Sequence, residues 1–169
     1  MCHLRSAFLP LVFAGLALGQ TETSIPSKDE IFELLDKADQ KISAFEDSVR
    51  SSRPKLDEID PKLAINYLDA TSTAHLMVQA MHKNGASGYV LVGLLATLDD
   101  LSLDAANASV KLLYPTKARQ PNAEAVAAVV LLSNSGTACN DIAELLMHAT
   151  LRYIHVEEEA LQKLLGNQR

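Results

Sequence analysis

The sequence predicts an all-α fold, an up-down bundle of four helices. Three observations carry that prediction. Apolar residues recur at spacings of three and four along most of the chain, which gathers them on one stripe per helix. Hydrophobic residues make up 48 % but aromatics only 5 %, with no Trp, so the core has to be built from Leu, Ile, Val, Ala and Met. The 7 Gly and 6 Pro are too few for a sheet-rich fold with many tight turns.

The 169 residues fit one domain behind a targeting segment. Met1 to Arg5 carries one positive charge, Ala7 to Leu18 is an apolar run, and Ala17-Leu18-Gly19 offers small residues before Gln20. This is the pattern of a signal peptide over residues 1–19, cleaved before Gln20. The run is short for a membrane anchor, and no later segment reaches spanning length without a charge, so no membrane span is expected after cleavage. The expected location is secreted or periplasmic. Residues 20–26 read as a flexible lead-in and residues 27–169 as a single helical-bundle domain.

Ser27 and Glu30 form a capping box at the start of the first helix. Its stripe is Ile31, Leu35, Ala38, Ile42, Phe45 and Val49, and Pro54 is expected at its end or just beyond. Asp60-Pro61 opens the second helix, whose stripe is Ala64, Tyr67, Thr71, Ala74, Val78 and Met81. Asn84-Gly85 stops it and Ser87 can cap the third at once, a short connection that favours antiparallel neighbours. The third stripe is Leu91, Leu94, Leu98, Leu101, Ala105, Ala108 and Leu112, with Asp100, Asp104, Asn107 and Lys111 opposite and Pro115 as the stop. Pro121-Asn122 leads into a fourth segment with Val126, Val129, Val130 and Leu132 as its apolar face. Ser133 to Gly136 weakens helix locally and predicts a kink or break, with a continuous helix as the alternative; a break would make the count five. Ile142, Leu145, Leu146, Ala149, Tyr153, Val156, Ala160 and Leu164 then carry the chain to about Leu165.

Charge excludes some partners. The formal net charge is −6, and cleavage removes Arg5 and no acid, leaving −7. Such a chain repels phosphate backbones and anionic membrane surfaces, so neither nucleic acid nor an anionic bilayer is an expected partner.

The histidines form the most suggestive constellation. After cleavage four remain, His75 with His82 and His148 with His155, each pair seven residues apart. That spacing puts a pair on one side of its helix, about 10.5 Å apart along the axis. Asp141, Glu144 and Glu159 lie near the strip of the second pair. His and carboxylate together suit zinc, copper or iron, so the candidate metal ligands are His75, His82, Asp141, Glu144, His148 and His155. Metal–ligand bonds of about 2.0–2.2 Å are far too short for one ion to take both members of a pair, so two sites or sharing between helices would be needed.

Other motifs point to no reaction. Cys139 is the only mature cysteine, which excludes an intrachain disulfide and reads as a small buried hydrophobe. There is no Cys-x-x-Cys-His for covalent haem, no Gly-x-Ser-x-Gly, no phosphate-binding glycine loop and no dinucleotide fingerprint. Asn107-Ala108-Ser109 matches a glycosylation sequon, with Asn107 on the polar side of its helix. Tyr67, Tyr89, Tyr114 and Tyr153 are candidates to give polar tips to an apolar groove between helices. The expected function is that of an exported, non-catalytic bundle that binds a partner protein, a surface or a small ligand, with no cofactor. The alternative is a metal-binding or metal-redox bundle using the paired histidines.

Overall fold

A computed structural model describes residues 28–114 and 121–166. Four α-helices account for almost all of them: α1 Lys28–Ile59, α2 Leu63–Asn84, α3 Gly88–Leu113 and α4 Ala123–Gly166. No strand occurs among the described residues, and the chain is an all-α four-helix bundle. Each helix packs on its sequence neighbours, and α4 closes the ring on α1, while α2 and α4 stand at opposite corners without contact. The signal segment, the lead-in, the Ser27 cap and Pro115 lie outside the described residues, as do the side chains of Val156, Ala160 and Leu164.

The stripes of α1, α2 and α3 are buried at every position that the spacing identifies. Phe45, at 0 % exposure, is among the largest side chains in the core, and its ring meets that of Tyr67 edge-on, with centroids 6.2 Å apart. Tyr67 then donates its hydroxyl to the carbonyl of Asp104 at 3.2 Å. One layer therefore ties α1, α2 and α3 together.

The short turns are set by local chemistry. Asp60 Oδ1 accepts the Lys62 N–H at 2.9 Å, and the Leu63 N–H returns to the Asp60 carbonyl, so Asp60 closes the tight turn that leads into α2. Gly85 adopts φ +92°, a conformation that side chains with a Cβ rarely take, and its N–H closes on the Met81 carbonyl. Ser87 occupies the cap position of α3 with extended backbone, but its hydroxyl makes no capping bond. Asn122 Oδ1 accepts the Ala125 N–H at 2.8 Å and caps α4.

Three expectations are corrected. First, Pro54 does not end α1, which runs through it to Ile59. Proline removes one helical hydrogen bond and crowds the carbonyl four residues back, at a cost of about 3 kcal/mol in a helix interior. Beyond it, Leu56 is wholly buried, and Lys55 binds both Glu58 at 2.7 Å and Glu124 of α4 at 2.9 Å. Tertiary contacts thus hold the last turns in helical form.

Second, α4 is continuous through Ser133 to Gly136. The small residues there serve the contact between helices. A Cβ built on Gly136 would lie 2.7 Å from the Cβ of Ala105, so α3 and α4 approach too closely for any side chain at that point. The hydroxyls of Ser109 and Ser133 meet at 3.1 Å across the same seam, and Ser135 returns its hydroxyl to the Leu131 carbonyl.

Third, the first half of α4 buries only part of the face expected: Leu132 is in the core and Val129 packs against it, but Val126 and Val130 turn outward. Ala125, Ala128, Leu132, Ser135 and Cys139 point inward, while Val126 and Val130 are 42 % and 51 % exposed. Leu145, expected on the inner stripe, is also exposed. Close approach of the α3 backbone favours alanine, serine and glycine over valine at the contact.

Candidate functional site

The outer flank where α3 meets α4 carries several exposed apolar residues and a cleft. On α3, Val92, Leu103 and Val110 are between 50 % and 60 % exposed. Ala96 also faces outward, and the heptad steps from it to Leu103 and Val110 keep these residues on one strip. On α4, Val126 and Val130 near one end and Met147 and Leu151 towards the other lie on the same two heptad rows, with Ser133, Thr137, Asn140 and Glu144 between them. Scattered single apolar residues are ordinary on a protein surface, whereas apolar residues gathered around a cleft point to an interaction site.

Near one end the strip deepens into an open cleft of about 530 Å³. Val92, Leu95, Ala96 and Asp99 form one wall, and Asn140, Ala143, Glu144 and Met147 the other. Leu95 and Ala143 pack down onto the core and make the floor apolar. Asp99, Asn140 and Glu144 supply the polar groups, and none of the three forms an ion pair or a side-chain hydrogen bond within the described residues.

The electrostatics of this flank are one-sided. The segment from Val92 to Val110 contains Asp99, Asp100 and Asp104, and the segment from Val126 to Leu151 contains Asp141 and Glu144; neither contains a lysine or arginine. On the side of α3 towards Tyr67, desolvation, with the neighbouring Asp100 charge behind it, raises the Asp104 carboxyl from its ordinary value, and Lys111 acts the other way.

Of the sequence-derived candidates, Glu144 lines the cleft and the others lie elsewhere or apart. His75 sits between α1 carboxylates: its Nδ1 is 2.6 Å from Asp39 Oδ1 and its Nε2 is 3.6 Å from Glu46 Oε2, with Glu46 also paired to Arg50. His82 Nε2 lies 3.1 Å from Asp36 Oδ1, and its ring stacks at a tilt on Phe32 with centroids 5.2 Å apart. Both residues lie on the flank of α2 that faces α1 and join the two helices. Asp141, Glu144, His148 and His155 are exposed on α4, and His155 pairs within its helix with Glu159 at 3.4 Å. The two histidine pairs thus stand on opposite corners of the bundle. Among the described residues no three His, Cys, Asp or Glu side chains gather in a metal-holding group.

The four tyrosines do not line a common groove. Tyr67 is buried, Tyr153 donates to the Ala86 carbonyl at 2.9 Å, and Tyr89 and Tyr114 project into solvent. Asn107 is exposed, but the sequon's Ser109 is buried and its hydroxyl is engaged by the Ala105 carbonyl and by Ser133. In the folded protein that hydroxyl is closed to a modifying enzyme.

Cys139 is wholly buried, with its sulfur 3.9 Å from the Lys41 carbonyl. Burial pushes its thiol from an ordinary 9.0 up to about 11, with nearby Lys41 acting the other way. Burial, joined by the Asp104 charge, likewise moves Tyr67 from 10.0 to about 12. Both groups are neutral acids held in the folded state above their unfolded values. Their contribution to stability is therefore complete below about pH 9 and is lost as pH rises through about 11 and 12. The thermal midpoint is expected to fall steadily above pH 9. At pH 7.5 Cys139 should resist iodoacetamide until the chain is unfolded in urea. Rapid native-state alkylation, or a midpoint flat to pH 11, would contradict the burial of these groups.

The geometry thus defines a small all-α bundle with one apolar, acid-bordered flank. Comparison with family models, curated proteins and solved structures gives no match. The sequence held a signal for this flank that the stripes alone do not convey. It is the absence of any basic residue over most of α3 and the first two thirds of α4, combined with valines that the core does not need.

Proposed function

We propose that the chain is an exported, non-catalytic binding protein whose working surface is the outer flank of α3 and α4. The observation that supports this reading is the set of exposed apolar residues on this flank, Val92, Leu103 and Val110 on α3 and Val126, Val130, Met147 and Leu151 on α4, together with the cleft. Leaving so many valine, leucine and methionine side chains in water gains nothing for the bundle itself, because the core is complete without them. Among the described residues no helix is long and apolar enough to cross a membrane, so bilayer insertion of these helices does not account for the strip. Export rests on the signal-like pattern of residues 1–19.

Replacing Val92, Leu103 and Met147 together with serine should sharply reduce retention on an octyl matrix without lowering helicity. Serine at Ile65 and Leu76, equally exposed on α2, should leave retention nearly unchanged. Equal losses from both sets would remove the assignment of the surface. Export is checked by expressing the full chain with its own N-terminus and sequencing the released product, which should begin at Gln20. The metal-binding alternative, on His75, His82, Asp141, Glu144, His148 and His155, has no geometric observation in its favour. Stoichiometric zinc, copper or iron in tag-free protein would revive it.

A further inference from the structure

We infer that the cleft between α3 and α4 is a site for a cationic amphiphile, a small ligand with one apolar chain and an ammonium head. The inference rests on the proposed binding role of this flank and adds the chemistry of the occupant. Three observations lead to it. The cleft of about 530 Å³ falls within the size range of small-molecule sites, roughly 300–1,000 Å³. Its walls span Val92 to Asp99 and Asn140 to Met147, about 10.5 Å along each helix. That length holds the greater part of a single alkyl chain, and a docked helix is tested against it below.

The floor and walls, Val92, Leu95, Ala96, Ala143 and Met147, are apolar and can take only the chain of such a ligand. The polar groups above them are two carboxylates, Asp99 and Glu144, one from each helix, with Asn140 between. They have no cation of their own, because neither flanking segment carries a lysine or arginine. An anionic head would meet like charges there, including Asp100 and Asp141 on adjacent positions. A neutral head would leave both carboxylates without a counter-ion. An ammonium head completes them, at the modest strength of partly exposed ion pairs. The same argument disfavours a second copy of this chain across the cleft, since a two-fold axis there would bring the acids of both copies together.

The test uses the mature protein with three amphiphiles of equal chain length, each below its micelle concentration: dodecyltrimethylammonium, dodecyl maltoside and dodecyl sulfate. Binding is read by titration calorimetry and by backbone amide shifts. Dodecyltrimethylammonium is expected to bind one to one, about fivefold to tenfold tighter than the maltoside, with shifts centred on Ala96 and Ala143. Raising salt should narrow the gap. In the pair Asp99→Asn and Glu144→Gln, both exposed positions, the two ligands should bind alike. Equal affinity of the cationic and neutral ligands in the unaltered protein would overturn the cationic assignment while leaving the apolar flank as a binding surface. Tighter binding of a basic amphipathic peptide than of the small cation would overturn the small-ligand assignment. If no amphiphile moves the cleft amides and the serine variants still bind octyl matrix normally, both readings fall.

Discussion

Phe45→Ala is expected to cost about 3–5 kcal/mol of folding stability, the range for removing a fully buried aromatic ring. Phe45 has no exposed surface, and it packs on Tyr67, whose hydroxyl reaches α3. The truncation thus opens a cavity where three helices meet, and neither α1 nor α2 can collapse into it without breaking other contacts. Against a typical domain stability of about 5–15 kcal/mol, this brings the protein close to unfolding at physiological temperature. Urea unfolding followed by circular dichroism should show a much lower midpoint with an unchanged slope. Leu76→Ala, at a position 65 % exposed on α2, should fall within about 0.5 kcal/mol of the parent. A Phe45→Ala loss below about 1 kcal/mol would mean that the layer is loosely packed, contrary to its geometry.

The second large effect is expected at Gly136. In an exposed helix interior, replacing glycine with alanine stabilises by about 0.8–1.0 kcal/mol. Here the sign should reverse, because the new Cβ would stand 2.7 Å from the Cβ of Ala105 and close to the backbone of Ser102. Ala105 has no flexible end that could swing aside, so the helices must part. Overpacking of this kind costs about 1–3 kcal/mol, with Gly136→Val at the upper end. A double-mutant cycle isolates the contact: Gly136→Ala with Ala105→Gly should recover about 1–2 kcal/mol relative to the sum of the single changes. Stabilisation by Gly136→Ala alone would show that the two helices are not in close contact.

These two positions also show how far the sequence could be read. Phe45 was legible, since it lies fifth in a stripe whose spacing of four and three fixes its direction. Gly136 invited the opposite reading. Read locally, Ser133-Asn134-Ser135-Gly136 is a run of weak helix formers and suggests a break. Its small side chains are there because α3 comes within contact distance, which a single-helix pattern does not express. The valines at 126 and 130 misled for the same reason, as hydrophobicity assigned them to the core while the close approach of α3 reserved that face for Ala125, Ala128 and Ser135. Pro54 belongs with them, because the contacts that carry α1 past it come from Lys55 reaching α4 and from Leu56 in the core. The candidate ligands followed suit. Spacing put each histidine pair on one side of its helix, but could not say that α2 would turn His75 and His82 toward the acids of α1.

By itself the sequence determined the all-α class, the inward stripes of α1, α2 and α3, the turn at Asp60-Pro61 and the stop at Gly85. These depend on residues within about one or two turns of each other, and the helical period reports them directly. Only the tertiary structure decided which flank of α4 is covered, where two helices touch closely enough to need glycine, and that the uncovered apolar strips of α3 and α4 lie side by side around an acidic cleft. A repeat along one helix fixes directions about that helix's own axis, whereas a shared surface depends on how two axes are placed. That placement is set by the packing of the whole bundle.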